Sequence, residues 1–331
     1  MSGYDDELDG LDGVDAAGAE VLDLVVPGTL DAIRVDRVIS LLTGLSRSEA
    51  SEMVAAGAVR VNERVVTKGS TALETGQHLV AVLPSPVSGS VEPDDAVAVD
   101  VVLDDEDFAV VNKAAGQVVH PGAGQLHGTL VAGLLARYPQ MQALSDEGLS
   151  EPLRPGIVHR LDKGTSGVLV VAKTVEGLVS LREQLASREM GRTYLGMVEG
   201  HVAEERGVVD APIGRSTRTP TLMAVRADGR PARTGYQVLE RIEKPQAMTL
   251  LKLSLDTGRT HQIRVHMATI GHPVVNDPRY GHRRDRRLGE DRFWLHSRTL
   301  RFVHPRSGED VVAGAVPPPD LVALMGEVKD L

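Results

Sequence analysis

The first hydrophobic pattern along the chain predicts a compact unit between residues 33 and 83. Apolar residues at helical spacing indicate one short amphipathic helix: Val35, Val38, Ile39 and Leu42. A second helix is predicted to begin at a capping box formed by Ser46 and Glu49 and to end at Gly57. The alternating run VRVNERVV then predicts a β-hairpin that turns at its central Asn-Glu pair.

The segments on either side of this unit have no hydrophobic period. Residues 1–25 are acidic and rich in glycine and alanine, which predicts a disordered tail. Residues 84–97 contain three prolines together with serine and glycine, and we interpret them as a flexible linker. The pattern therefore predicts a small N-terminal domain and a larger domain over residues 98–331.

The larger domain is predicted to be an α+β structure. Its apolar runs are short, rich in β-branched residues and often interrupted by glycine or proline, which favours antiparallel strands. Helical periodicity is confined to a few stretches: 129–137, 175–187, 261–270 and 319–328. Neither GxGxxG nor GxxxxGK[ST] occurs, so the common glycine-rich phosphate loops are excluded.

Composition narrows the chemistry and the compartment. The 331 residues include no cysteine, which excludes disulfides and thiolate metal ligands. The N-terminus has neither the basic nor the apolar segment of a signal peptide. No apolar run approaches the roughly 20 residues of a membrane span. We therefore expect a cytoplasmic protein that does not associate with a membrane.

The net charge of −10 hides a basic half of the chain. Residues 1–23 carry eight Asp/Glu and no Lys/Arg, whereas residues 151–306 carry 27 Lys/Arg against 17 Asp/Glu. Only four of those 27 bases are lysine. Arginine suits forked contacts with phosphate and stacking on bases, so the excess favours a nucleic-acid partner, although ordinary surface chemistry would also explain it.

Three polar islands could carry a reaction: residues 110–122, 156–174 and 255–281. Metal hydrolysis is disfavoured because His261 and His266 are five residues apart and no HExxH occurs. A serine nucleophile is disfavoured because the sequence Thr-Ser-Gly at 165–167 is not a GxSxG elbow. Paired-carboxylate glycosidase chemistry is disfavoured because Asp162 has no acidic partner in its island.

Asp162 remains as a single carboxylate near several cations. Nearby positive charge lowers the pKa of a carboxyl group, which suits a nucleophile or a base better than a general acid. A structural Asp–Arg bridge explains the same residues equally well. The residues alone leave both interpretations open.

The run SRSEASEMVAAGAVRVNERVV resembles the S4 domain, a small RNA-binding module of ribosomal protein S4 and several RNA-modifying enzymes. The resemblance covers about 50 residues and implies that Arg37, Arg47 and Arg60 face RNA phosphates. A generic helix–helix–hairpin with solvated arginines is the alternative.

The second region resembles the RluA/RluD-type pseudouridine synthases. HRLDKGTSG followed by VLVVAKT is similar to the signature motif of that family. Four further segments resemble other parts of the family in the family's order: NKAAGQVVHPG, RTYLGMVEG, TGRTHQIRVHMATIGHP and LHSRTLRFVHPRSGE. The resemblance implies the pseudouridine synthase fold, with a mixed, mainly antiparallel curved sheet beside a small α/β S4 domain.

The resemblance also implies roles for individual residues. Asp162 matches the catalytic aspartate that opens the C1′–N1 bond, and Arg264 matches the arginine that pairs with it. Tyr194 matches a tyrosine that stacks on the target base. Arg160 matches a residue that enters the helix space left by the flipped nucleotide. Other motif residues are candidates for RNA contacts: Lys113, Arg259, His261 and Gln262. A solvated lysine and a packing histidine are the alternatives for Lys113 and His261.

Two motif positions carry structural expectations. Asp277 is predicted to anchor a turn, and Asn276 stands where the family usually has glycine, so a positive φ is expected there. The basic run RRDRR at 283–287 is predicted to contact phosphate, with simple solubility charge as the alternative.

The function implied is isomerisation of specific uridines, in 23S (large-subunit) rRNA, by base flipping and without a cofactor or metal. We expect a monomer whose partner is RNA, including rRNA within ribosomal subunit precursors. The alternatives are a tRNA pseudouridine synthase and a non-catalytic ribosome-assembly factor that binds RNA.

Overall fold

In the computed structural model of the chain, the described residues are 21–43, 47–83, 90–122, 125–219, 222–244, 246–282 and 288–324. The chain divides into two compact units, Met1–Gly89 and Ser90–Leu331, each with its own hydrophobic core. No helix in these ranges is long and apolar enough to cross a membrane.

The N-terminal unit combines a small antiparallel sheet with two helices. Its elements are β1 (Val21–Val25), α1 (Val35–Thr43), α2 (Arg47–Ala55), β2 (Val59–Val61), β3 (Arg64–Val66) and β4 (His78–Val82), with a 3₁₀ turn at Gly28–Leu30. The strand order is β1–β4–β2–β3. Apolar residues from both helices and the sheet form one buried cluster, which includes Val35, Ile39, Val54 and Leu79.

The predicted hairpin of the N-terminal unit is confirmed, since β2 and β3 pair in antiparallel fashion. Asn62 and Glu63 have φ angles of 47° and 65°, the left-handed conformation of a type I′ turn. Asn62 Oδ1 accepts a hydrogen bond from the His78 backbone N–H (2.8 Å), which links the turn to β4.

Both predicted helices of this unit are present. Gly57 follows α2 with φ = 80°, in agreement with the predicted C-terminal glycine. The predicted capping box cannot be compared in the same way, because Ser46 and the side chain of Glu49 lie outside the described residues.

The prediction of a disordered segment over residues 1–25 is wrong for Val21–Val25. These residues form β1, which pairs with β4 from Val21 opposite Val82 to Val25 opposite His78. Leu22 is buried in the core of the unit. The run VLDLVV alternates like a strand, but its signal was obscured by the acidic residues before it. Residues 1–20 lie outside the described ranges.

The C-terminal unit is built on a nine-stranded sheet. Its strands are β5 (Val101–Asp104), β6 (Phe108–Lys113), β7 (Ser166–Ala172), β8 (Gly191–Glu199), β9 (Arg206–Asp210), β12 (Arg233–Ile242), β13 (Met248–Leu255), β14 (Leu295–Val303) and β15 (Asp310–Gly314). A separate two-stranded sheet consists of β10 (Ile213–Arg215) and β11 (Met223–Val225). The helices are α3 (Leu130–Arg137), α4 (Ala143–Asp146), α5 (Val175–Ser187), α6 (Gln262–Thr269) and α7 (Pro319–Val322), with a 3₁₀ turn at Pro139–Gln142.

The order of the main sheet is β5–β6–β7–β14–β8–β13–β12–β9, and β15 pairs with β14. β7 and β14 run parallel, while the other neighbouring strands run antiparallel. The predicted mixed, mainly antiparallel α+β architecture is therefore confirmed. Because β14 lies between β7 and β8, the loop before β7 and the first half of β8 come together.

Three of the four helices predicted in this unit agree with the structure to within a residue or so. The helix predicted over 175–187 coincides with α5, whose N-cap Thr174 accepts a hydrogen bond from the Gly177 N–H (3.1 Å). The helix predicted over 319–328 is shorter: α7 ends at Val322, and residues 325–331 lie outside the described ranges.

The predicted linker is also too long at its C-terminal end. Val91 is buried in the main core of the C-terminal unit, and the Asp94 N–H donates to the Ala132 carbonyl of α3 (3.0 Å). A side chain at Gly133 would clash with the Val97 carbonyl, so a glycine on α3 lets this segment pass closely. Residues 90–97 thus belong to the C-terminal unit, and residues 84–89 lie outside the described ranges.

Candidate active site

One cleft of about 610 Å³ brings together residues of all three polar islands of the sequence, the first of them through His120, and the start of β8. Its wall includes residues 157–162, residues 255–264, Arg192 and Tyr194. We call this space the cleft. Its volume is in the range of small-molecule sites, which is sufficient for one nucleotide.

Asp162 lies in the loop that leads into β7. The Thr165 N–H donates to the Asp162 carbonyl (3.0 Å) and closes a turn. Gly164 and Gly167 permit close approaches, because a side chain at either position would clash with the backbone of Asp291 or Ser297. The loop is thereby held between β7, which is buried along its whole length, and the residues around β14.

Asp162 is paired with Arg264 on α6. Arg264 Nη1 donates to Asp162 Oδ2 at 2.9 Å, across 102 positions of sequence. Arg264 is 3% exposed, whereas the side chain of Asp162 retains 19% of its exposure on the cleft. The expected ion pair is confirmed, and one face of the carboxylate remains accessible.

Arg264 is itself held by a second carboxylate. Its Nε donates to Asp277 Oδ2 (2.6 Å) and its Nη2 donates to Asp277 Oδ1 (2.9 Å), which is a bidentate contact. The guanidinium also lies over the ring of Phe293, with 4.3 Å between Cζ and the ring centroid. These contacts fix the orientation of the group that faces Asp162.

The charges around Asp162 keep it ionised. Burial alone would raise the pKa of the Asp162 carboxyl, but the charge of His261 when it is protonated, the charge and hydrogen bond of Arg264 and the charge of Arg160 outweigh burial and lower that pKa below its ordinary value. For Arg264, burial would lower the pKa, and the bonds to Asp277 and Asp162 raise it instead. The pair is therefore a carboxylate and a guanidinium at neutral pH, and Asp162 can act as a nucleophile but not as a general acid.

Tyr194 lies on β8, opposite Ser297 of β14, and its ring lines the cleft. Burial raises the pKa of its phenol, with Arg192 and Ser297 acting in the opposite direction. The phenol is protonated at neutral pH. Tyr194 can offer a flat apolar face and a hydroxyl, but it is poorly suited to be an anionic base.

Arg160 is exposed at the edge of the cleft. Its Nη1 donates to Nε2 of the buried His120 (3.1 Å). Burial and the charges of Arg160 and Arg154 lower the pKa of His120 to about 4, so its ring is neutral and accepts this bond. A partly free guanidinium at the edge is suited to contact a strand of nucleic acid.

Arg259 and His261 lie in the loop before α6 and also line the cleft. Arg259 donates from Nε to the Pro231 carbonyl (3.0 Å), and burial together with Arg230 and Arg188 lowers its pKa. His261 has φ = 57°, and its Nδ1 lies 2.8 Å from the Tyr280 hydroxyl. Burial lowers the pKa of His261, so its imidazole is neutral at neutral pH.

The comparisons with known proteins agree with this geometry. Residues 107–269 match the family model of RNA pseudouridylate synthases, and residues 33–79 match the S4 domain. Over 327 residues, the chain is 39% identical to the ribosomal large subunit pseudouridine synthase D of Nitrosomonas europaea, and the match covers 96% of this chain and 91% of that protein.

The chain belongs to the RNA pseudouridylate synthase family. It is also 40% identical over 299 residues to an RNA pseudouridine synthase of Bacillus subtilis, YlyB, with 89% of this chain and 94% of that protein covered. Among solved structures, the human RNA pseudouridylate synthase domain containing 1 is similar with a TM-score of 0.53 and 30% identity, over 70% of this chain and 89% of that one. The expected enzyme class and fold are confirmed.

Among the described residues of the synthase, no group of three or more His, Cys, Asp or Glu side chains is arranged to hold a metal ion.

The structure describes the side chains of two of the three S4 arginines predicted to contact RNA. Arg37 on α1 and Arg60 on β2 are exposed, as an RNA contact requires. The side chain of Arg47 and the run at 283–287 lie outside the described residues.

The prediction that Lys113 contacts RNA is wrong. Lys113 is 1% exposed, and its Nζ donates to three carbonyls, those of Ala114 (2.7 Å), Gln117 (2.9 Å) and Lys163 (3.3 Å). Burial lowers its pKa to about 7. The residue ends the buried strand β6 and ties the loop after β6 to the loop that carries Asp162.

The prediction that Gln262 contacts RNA is also wrong. Gln262 is 3% exposed, although it borders the cleft. Its Oε1 accepts from the Thr257 hydroxyl (2.7 Å) and the Arg259 N–H (3.0 Å), and its Nε2 donates to the Arg233 carbonyl and the Thr234 hydroxyl (both 3.0 Å). Every strong hydrogen-bonding position of the amide is used within the protein. Gln262 therefore shapes the loop that presents Arg259.

Asp277 has a larger role than the predicted turn anchor. Its Oδ1 does accept from the N–H groups of Arg279 (2.9 Å) and Tyr280 (3.1 Å), and Asn276 has the expected positive φ of 64°. The same carboxylate holds Arg264. The presence of Asp277 in the same island as Arg264 was the signal in the sequence, but only the tertiary contact shows their pairing.

The role of Lys113 gives a testable result. We expect Lys113→Met to reduce the free energy of unfolding by about 2 kcal/mol, because buried carbonyls lose their donor. The salt dependence of RNA binding should be unchanged. Urea unfolding and RNA-binding titrations measure both quantities. The control Lys252→Met, at an exposed position of β13, should change stability by less than about 0.5 kcal/mol. Weaker RNA binding with unchanged stability would contradict the structural role.

Proposed function

We propose that this synthase converts uridine to pseudouridine in large-subunit rRNA, with Asp162 as the catalytic nucleophile. The observation that carries the proposal is the ionised Asp162 carboxylate, oriented by Arg264 and accessible in a cleft large enough for one nucleotide. The rRNA target is supported by the name of the Nitrosomonas europaea relative and by the S4 match.

The chemistry needs only groups that the chain supplies. A carboxylate oxygen of Asp162 forms a bond to C1′ of the target uridine as the bond between C1′ and N1 breaks, and the uracil leaves with the bonding electron pair. The uracil turns in the cleft and its C5 forms a bond to C1′ as the bond to Asp162 breaks and the carboxylate is restored. C5 then loses its proton to water and N1 gains one, so the proton count is unchanged. Since the product is an isomer of the substrate, no atom or electron has to come from a cofactor.

The electrostatics of the cleft favour this order of reaction steps. A carboxylate with a lowered pKa is ready to react at neutral pH without losing a proton first. The bidentate bond to Asp277 prevents Arg264 from turning away when Asp162 changes its charge. Tyr194 is 5% exposed but lines the cleft, and we assign it the stacking contact with the uracil ring.

The target base must leave the RNA stack to reach Asp162, at a cost of a few kcal/mol. Arg160 is exposed at the edge of the cleft and can fill the space that the flipped nucleotide leaves. Unpaired loops and bulges are the least costly targets. In this proposal, the enzyme is a cytoplasmic monomer and acts on rRNA within ribosomal subunit precursors. Three arginines of the S4 domain hold the RNA: Arg37, Arg47 and Arg60.

The substrate class is tested by separate incubations of the purified protein with large-subunit rRNA and with tRNA transcripts. Pseudouridine is then mapped by carbodiimide modification and primer extension. We expect new pseudouridine at defined sites of the rRNA and none in tRNA. Modification of tRNA alone would overturn the rRNA assignment, and RNA binding without any modification would point to an assembly factor.

A further inference from the structure

Arg192 is a buried cation in the wall of the cleft whose hydrogen-bonding groups are not satisfied. It is 6% exposed, and it lines the cleft. Within the described residues, its Nε has no hydrogen-bond partner and its Nη2 makes only a long bond to the Leu255 carbonyl (3.4 Å). An arginine side chain remains protonated in proteins, so burying Arg192 without an anionic partner costs free energy.

The protein does not supply that partner within the described ranges. The carboxylate with the largest effect on Arg192 is that of Asp256, which is already paired with Arg233. Burial outweighs the attraction of Asp256 and of the Tyr194 phenol, which is charged only when ionised, and lowers the pKa of Arg192, as expected for a cation that lacks a counterion. The arginines Arg188 and Arg259 also line the cleft, which makes this region positive.

The backbone around Arg192 leaves room for its guanidinium. A side chain at Gly258 would come within 2.7 Å of Arg192 Nη1. The glycine thus leaves the space that the guanidinium occupies beneath the loop at 256–260, and a β-carbon there would displace the guanidinium from this position. The same loop presents Arg259 to the cleft.

The position of Arg192 relative to the reaction centre indicates its ligand. Arg192 and Tyr194 are two residues apart on β8, so their side chains leave the same face of the sheet, about 7 Å apart along the strand. A base stacked on Tyr194 has its sugar–phosphate backbone within that reach. A fully charged group satisfies a buried guanidinium better than a neutral carbonyl of uracil does.

We propose that Arg192 binds a phosphodiester of the RNA strand next to the target uridine and so positions that nucleotide over Asp162. This inference rests on the proposed function, since it takes RNA as the ligand of the cleft. Arg192 acts as a binding and positioning residue, and the loop around Gly258 completes the phosphate site.

A structural role and a phosphate-binding role predict opposite effects on stability. If Arg192 mainly stabilised the fold, Arg192→Met would lower the melting temperature. If Arg192 instead binds an anion of the substrate, then Arg192→Met, which removes the buried charge, should leave the melting temperature unchanged or raise it. Arg292 is a matched contrast, because this equally buried arginine is bonded to Asp320, Ser166 and the Gly164 carbonyl. Arg292→Met should lower the melting temperature.

The test measures RNA binding in the Asp162→Asn background, so that it does not depend on turnover. Affinity for the rRNA substrate is measured by fluorescence anisotropy over a range of salt concentrations. We expect Arg192→Met to weaken binding about 10- to 100-fold and to reduce the slope of log affinity against log salt by about 0.7. Arg192→Lys should recover part of the loss. Arg301→Gln, which removes an exposed arginine paired with Asp310, should keep the full affinity and slope.

A neutral methylphosphonate at one position of the RNA identifies the phosphate. Placed next to the target uridine, it should weaken binding to the Asp162→Asn protein and cause no further loss with the Asp162→Asn/Arg192→Met protein. Unchanged affinity and slope for Arg192→Met, or a methylphosphonate loss that is equal in both proteins, would overturn the assignment of Arg192. Pseudouridine formation by the wild-type protein tests the proposed function separately. If Arg192→Met fails to fold, the stability prediction and the assignment are both contradicted.

Discussion

Replacement of Asp162 by asparagine should abolish pseudouridine formation while RNA binding remains. The expected loss of the single-turnover rate is more than about a thousandfold, because the amide cannot form the bond to C1′. Asparagine has nearly the same shape, and its Oδ1 can still accept the bond from Arg264 Nη1 (2.9 Å in the wild type). Release of tritium from RNA labelled as 5-[³H]-uridine measures turnover, and fluorescence anisotropy measures binding.

The matched control for Asp162→Asn is Asp256→Asn. Asp256 also lines the cleft, but its carboxylate is paired with Arg233. Loss of one negative charge from the cleft is therefore common to both variants, and only Asp162→Asn removes the nucleophile. Equal turnover of the two variants would contradict the role given to Asp162.

Replacement of Arg264 by methionine should remove activity and destabilise the C-terminal unit. Arg264 holds two carboxylates, and the side chain of Asp277 is fully buried. Breaking a buried ion pair by removing one partner costs about 3–5 kcal/mol, because the other charge is left without compensation. The exposed pair of Arg301 and Asp310 provides a control, and Arg301→Gln should cost less than about 1 kcal/mol. Urea unfolding measures the change.

A double variant separates the two effects of Arg264. In Arg264→Met/Asp277→Asn, the buried carboxylate is neutralised, so part of the lost stability should return. Activity should not return, since nothing then orients Asp162. Recovery of activity in the double variant would mean that Arg264 acts only through the fold. Equal stability of the single and double variants would contradict the coupling between Arg264 and Asp277.

The pairing of Asp162 with Arg264 was predictable from the sequence because both residues lie in motifs that resemble one family. In the sequence itself, the cations nearest to Asp162 are Arg160 and Lys163. The structure shows instead that Lys163 pairs with Asp291, and that Arg160 bonds to His120. Local sequence rules also predicted the β-hairpin at Asn62 and Glu63 and the bounds of α5, because turn and cap residues determine those features within a few positions.

The roles of Lys113 and Gln262 were not predictable, because burial of a polar residue is decided by tertiary contacts. Lys113 follows the apolar run FAVVN, and only the meeting of two loops surrounds its ammonium with carbonyls. Gln262 follows His261 in one motif. The Gln262 amide is bonded within the protein, whereas the His261 side chain faces the cleft. Nothing in the sequence indicated the role of Arg192 either, because the lack of a hydrogen-bond partner for its Nε among the described residues is visible only in the folded site.

The most direct test of the central claim is pseudouridine mapping of large-subunit rRNA from cells whose only copy of this protein carries Asp162→Asn. The account predicts that one or more uridines modified in the wild type become unmodified, and that wild-type protein restores them when it is expressed again. If every pseudouridine persists at the wild-type level, Asp162 is not the reaction centre of an enzyme that acts on this rRNA.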